Sequence, residues 1–144
     1  MTSLPASSSP LPLTAARALA YADEKLGGAL RLLDRVAPTE RSGAPVVDNA
    51  TLPARVREAW DECHPVMASD LPDAATGKVL AKVRSWVGLL GHVRGEAARL
   101  AVAKQAERCL RDLALRVRAT RKRDDRARRK ARRRGRRRAV MEGR

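Results

Sequence analysis

After Pro72 the chain contains no further proline to Arg144, yet the apolar residues of this long run do not line up. Val79, Val83, Trp86, Leu90, Val93 and Ala97 recur every three or four residues and form one stripe. Val102, Ala106, Leu110, Leu113 and Val117 form another. At 100° per residue the second stripe lies roughly half a turn around a helix from the first. A continuous helix to Arg134 would be about 95 Å long and could not show both stripes to one partner. Either it bends near Gly95, or two partners grip opposite sides. Gly88, Gly91 and Gly95 fall opposite the first stripe and soften the chain there.

Upstream, residues 1–13 are rich in Ser and Pro and are expected to be disordered. Thr14 offers an N-cap to a helix running to about Ala37, where Pro38 stops it. Ala15, Leu19, Ala22, Leu26, Leu30 and Leu33 share one face of that helix. The stretch from Pro38 to Pro53 reads as a loop by its Pro, Gly, Ser and Asn. Thr51 with Pro53 starts a short helix to Cys63, with Val56, Trp60 and Cys63 inward. Ser69 or Asp70 caps the third helix, with Pro72 in its first turn.

Composition agrees with helices. The chain has 26 Ala, 17 Leu and 12 Val, with no Ile and no Phe. Ala and Leu favour helix, and β-branched and aromatic residues are scarce apart from Val. The expected fold class is therefore all-α. It is a small helical unit of about three helices, the last long and continuing into an Arg-rich tail. Ala buries little area, so the core should be thin. In this reading the first stripe completes the unit. The second stripe (Val102, Ala106, Leu110, Leu113 and Val117) is left over to face another copy, a different protein or a lipid surface.

The net charge of +15 is unevenly placed. Residues 1–115 hold 15 basic and 13 acidic residues, whereas residues 116–144 hold 16 basic and 3 acidic. The chain divides accordingly into a leader (1–13), a nearly neutral helical body (14–115) and a basic tail (116–144). Like charges in a block repel one another, so the tail is expected to take up order against an anion. The candidate anion-binding residues are Arg116, Arg118, Arg121, Lys122, Arg123, Arg126, Arg128, Arg129, Lys130, Arg132, Arg133, Arg134, Arg136, Arg137 and Arg138. Around a helix their guanidinium groups are expected to point in all directions, which suits a polyanion better than a lipid interface. Arg offers bidentate donors to phosphate. The tail has no aromatic residue, so base stacking is absent and binding should be weakly selective.

The expectation is a non-enzymatic helical binding protein whose tail grips a polyanion, nucleic acid foremost. The body is left to dock a protein partner or a second copy. The alternative is a peripheral membrane or lipid-droplet surface protein, with amphipathic helices on the lipid and the tail on anionic headgroups. The clusters at 121–123 and 128–138 also have the composition of a nuclear-localisation signal, which favours the nucleus.

Other chemistry finds little support. Cys63, His64, His92 and Cys109 match no metal-ligand spacing. Two cysteines are too few for a disulfide scaffold, and free thiols in a reducing compartment are expected. No nucleophile, base or phosphate-loop motif is present, so neither a cofactor nor a small-molecule substrate is expected. No run approaches the ~20 apolar residues of a membrane span. The first residues lack the basic start of a secretory signal.

Overall fold

The computed structural model describes residues 9–35, 37–38, 45–46, 49–65 and 73–142. Their architecture is helical. Helix α1 is Leu13–Leu33, α2 is Leu52–Cys63, α3 is Ala74–Leu90 and α4 is Glu96–Glu142. Between α1 and α2, β1 (Ala37–Pro38) and β2 (Pro45–Val46) form a two-residue antiparallel pairing, with Ala37 opposite Val46. A 3-10 turn at Asn49–Thr51 leads into α2.

The expected third helix is thus two helices, and the reason lies in residues 91–95. The amides of His92 and Val93 both bond back to the Leu89 carbonyl, which closes α3. Gly95 then takes φ +94°, a backbone conformation that an L-residue adopts only at a cost. Its carbonyl accepts the Arg99 amide and opens α4. The chain does not bend here; it reverses. Two stripes half a turn apart on one helix become two facing surfaces once the helix folds back on itself.

That reversal corrects the reading of the second stripe. Ala106, Leu110, Leu113 and Val117 are fully buried and Val102 nearly so, all within the chain's own core. None of them is left for a partner or a lipid. Of the first stripe, Val79, Val83 and Leu90 are buried. Trp86 and Val93 are half-buried against the core, and Ala97 is exposed on α4.

The four helices run alternately up and down. Contacts from α1 to α4 descend as the chain ascends: Leu11 meets Asp124, Asp23 meets Arg121, and Asp34 meets Arg111. Helix α2 runs back along α1, from Arg55 at the Leu33 carbonyl to Glu62 beside Lys25. The principal packing is α3 on α4 and α1 on α2, with α4 also lying against α1 and α2. Leu19, Leu26 and Leu33 of α1 meet Val56, Val83, Leu110, Leu113 and Val117 in the centre. Each such side chain contributes about 1.5–3 kcal/mol by leaving water. Ala22, Ala29, Ala59, Ala103 and Ala106 fill further core positions. Their small volume lets the helix backbones come close.

The helix ends differ in detail from expectation. Helix α1 stops at Leu33, before Ala37, because the Arg35 amide turns back to Leu32 and the Arg55 guanidinium donates to the Leu33 carbonyl. A cation at a helix C-terminus is favourable, and this one is buried. Helix α3 is capped by Asp73, whose carboxylate accepts the Thr76 amide at 2.7 Å and the Thr76 hydroxyl at 2.8 Å. Ser69, Asp70 and Pro72 lie outside the described residues. So does most of the expected disordered leader, residues 1–8. Within the remainder, Leu11 packs against the core.

Candidate polyanion interface

Helix α4 is 47 residues long, about 70 Å at 1.5 Å per residue. The bundle covers only part of it. The boundary drawn at 115/116 falls inside α4, and the fifteen candidate cations divide into two groups.

The first group is folded against the chain's own acids. Arg116 pairs with Asp112 at 3.3 Å. Asp23 of α1, only 11% exposed, takes Arg121 at 2.9 Å and Arg118 at 3.7 Å. Arg123 donates to the Thr120 hydroxyl. Arg128 pairs with Asp124 at 3.0 Å. Asp124 is buried although it lies in a basic run. Its other oxygen accepts the Leu11 amide at 2.7 Å, and Arg128 donates to the Leu11 carbonyl at 2.6 Å. This three-membered clasp holds the chain before α1 against the last buried turn of α4, where Ala127 is also buried. Order here does not wait for an external anion.

Asp73 belongs to the same region. Burial pushes its carboxyl up, but the Thr76 amide and hydroxyl, the Thr120 hydroxyl at 3.3 Å and the charge of Arg123 outweigh this. The group therefore sits below the ordinary carboxylate value. It ties the start of α3 to α4 as well as capping α3.

The second group is free. Every residue from Arg129 to Met141 is exposed, and α4 remains helical throughout. Eight of the ten residues Arg129–Arg138 are cations (Arg129, Lys130, Arg132, Arg133, Arg134, Arg136, Arg137 and Arg138). Lys122 and Arg126 lie exposed on the bundle-covered part. At 100° per residue, Lys122, Arg126, Arg129, Arg133 and Arg137 form one ridge on the side away from the core. The opposite face continues the core stripe as Ala127, Ala131, Gly135 and Ala139, each four residues on. The cations therefore cover about two-thirds of the circumference. The expectation of guanidinium groups in all directions is narrowed by this seam of small residues.

The two halves of the basic run differ electrostatically. In the first, Glu107–Arg111, Asp112–Arg116 and Asp124–Arg128 are favourable i,i+4 pairs with the acid N-terminal. Beyond it, six like-charged i,i+4 pairs occur between Arg128 and Arg138. At about 0.2–0.5 kcal/mol each they oppose the helix by roughly 1–3 kcal/mol. A phosphate polymer laid along the ridge would remove that repulsion.

Elsewhere the structure brings together groups that sequence reasoning treated separately. His64 stacks on Trp60 with ring centroids 5.7 Å apart. Both line an open cleft of about 530 Å³ with Arg57, Asp61, Arg84 and His92. Trp60 is half-buried there and packs against the edge of the core. Cys63 is fully buried, and burial pushes its thiol up to about 12. Among the described residues no cluster of three His, Cys, Asp or Glu is placed to hold a metal. Among them, too, no helix is long and apolar enough to cross a membrane.

No protein-family model matches the chain, and no curated protein or solved structure shows significant similarity to it.

Proposed function

We propose that this is a non-enzymatic helical binding protein that grips a polyanion, most readily nucleic acid, with the projecting end of α4. The observation that carries the proposal is the division of the basic run. In its first half Arg116, Arg118, Arg121 and Arg128 are paired with Asp23, Asp112 and Asp124. Its second half, Arg129–Arg138, is fully exposed and carries eight cations with no acid among them. Contact through phosphates needs donors and charge, both of which Arg supplies; stacking on unpaired bases would need aromatic residues, which this segment lacks. Weak sequence selectivity follows.

The lipid-surface reading has lost the face it required, because Val102, Ala106, Leu110, Leu113 and Val117 are in the core. Of the exposed large apolar side chains that remain among the described residues, Leu13, Tyr21, Leu89 and Leu115 lie on different helices or far apart on one helix, and Val140 and Met141 alone adjoin, at the end of α4.

The test is a truncation after Arg128. A cut after Leu115 would remove Val117, Asp124 and Ala127 from the bundle and confuse misfolding with lost binding. The cut after Arg128 keeps the clasp and leaves 22 basic against 15 acidic residues. The full chain should be retained on immobilised nucleic acid up to high salt, and the truncated chain should elute early while melting at an unchanged temperature. Equal retention of the two proteins would overturn the proposal.

A further inference from the structure

Resting on that reading, we infer that the polyanion is B-form duplex DNA, entered through the major groove by the projecting end of α4. Three features meet this partner together.

The first is shape. The projecting part is a helix to Glu142, exposed on all sides from Arg129. A helix with its side chains is about 10–12 Å across, and the B-form major groove is about 12 Å wide and admits one. The A-form major groove of duplex RNA is deep and narrow, which keeps such a rod outside. Residues 129–141 extend about 20 Å beyond the last buried turn of α4.

The second is charge density. Eight cations over the ten residues Arg129–Arg138 give one positive charge per about 1.9 Å of helix. B-form DNA carries one phosphate per about 1.7 Å of axis, counting both strands. Rod and groove walls therefore neutralise each other almost charge for charge. Single strands offer this match only if their bases are held, and the segment has no aromatic residue to stack on them.

The third is orientation. The seam Ala131, Gly135 and Ala139 continues the face that the bundle covers, so the bundle lies on that side. The duplex must approach the ridge side, where Arg129, Arg133 and Arg137 project.

The experiment uses the full chain and three probes of equal phosphate number and mixed sequence: duplex DNA, duplex RNA and single-stranded DNA. Affinity is measured across a salt series, and the bound duplex DNA is challenged with methyl green, a major-groove ligand, and netropsin, a minor-groove ligand. Duplex DNA should bind at least about tenfold more tightly than either other probe, the scale of losing one groove-dependent contact. The slope of log affinity against log salt should be about −7 for eight phosphate contacts. Methyl green should compete and netropsin should not. Duplex RNA binding as tightly as DNA, or competition by netropsin alone, would sink the groove inference while leaving the polyanion reading intact. Salt-sensitive binding to none of the three would remove both.

Discussion

Leu113 and Leu115 sit two residues apart on α4, with the same side chain and opposite environments. Leu113 is 0% exposed and Leu115 is 69% exposed. Replacing each by Ala tests whether the second stripe belongs to the core. Leu113→Ala removes three buried carbons. At about 0.8 kcal/mol each the transfer loss is about 2.4 kcal/mol, and the cavity left among Ala-rich neighbours raises it to about 3 kcal/mol. That is more than a hundredfold in the folding equilibrium, and for a domain of this size it lowers the melting temperature by roughly 10 °C. Leu115→Ala should change stability by less than about 0.5 kcal/mol. Urea and thermal melts followed by circular dichroism read both. If Leu113→Ala melts like the parent protein, or the two variants fall together, the stripe is not packed internally and the reversal at Gly95 is wrong. A stable Leu113→Ala chain that lost self-association would point back to a stripe gripped by another molecule.

Gly95→Ala should cost about 1–2 kcal/mol, because φ +94° is retained only with strain. Gly27→Ala, in the middle of α1 with open space around it, should add about 0.5–1 kcal/mol; melts of the two variants should move in opposite directions. Asp73→Ala should cost about 1 kcal/mol at neutral pH, as removal of a helix cap does. Because the folded carboxyl lies below its unfolded value, this contribution is complete above the unfolded pKa near ~3.9. It disappears as pH falls through the folded value, so parent and variant melts should converge only in strong acid. A disulfide-exchange reagent at mild alkaline pH should label half-buried Cys109 first and Cys63 only on unfolding, since the Cys63 thiol is raised to about 12; equal labelling rates on the native protein would contradict that burial.

Periodicity and composition carried the helices themselves. The Leu19–Leu26–Leu33 face and the Pro53 start of α2 were both readable because each depends on neighbours within a turn. The partner of a stripe was not readable, because spacing defines a face and says nothing of what covers it. In hindsight the half-turn offset between Val79–Val93 and Val102–Val117 is what a helical hairpin requires, and Gly91 and Gly95 mark its turn. The cap at Asp73 had a local signature in Thr76, three residues on, but Ser69 and Asp70 competed for it. Arg55 and Asp124 were not readable at all. Each is a charged residue buried by a contact far away in sequence, Arg55 at the Leu33 carbonyl and Asp124 at the Leu11 amide. The candidate set therefore includes Arg116, Arg118, Arg121 and Arg128, which the fold pairs with the chain's own acids.

Asp124 matters most to that correction, since it decides where the bundle ends and the arm begins. Its side chain is 6% exposed, and both oxygens are engaged, one by the Leu11 amide and one by Arg128. Asp124→Ala leaves a backbone donor and part of a guanidinium without their acceptor. Hydrogen bonds to a charged group contribute about 1.5–3 kcal/mol. Arg128 is about a quarter exposed and can recover water, so the net loss should be about 2 kcal/mol. Exchange of the Leu11 amide should then accelerate about thirtyfold relative to the parent, at 1.4 kcal/mol per factor of ten. Affinity for duplex DNA should hold or rise, since Arg128 is freed and an acid is removed beside the arm. A Leu11 amide that already exchanges rapidly in the parent chain would mean that the clasp does not form and the free arm begins earlier. Weaker DNA binding in Asp124→Ala would mean that the arm must be rigidly rooted in the bundle to engage its partner.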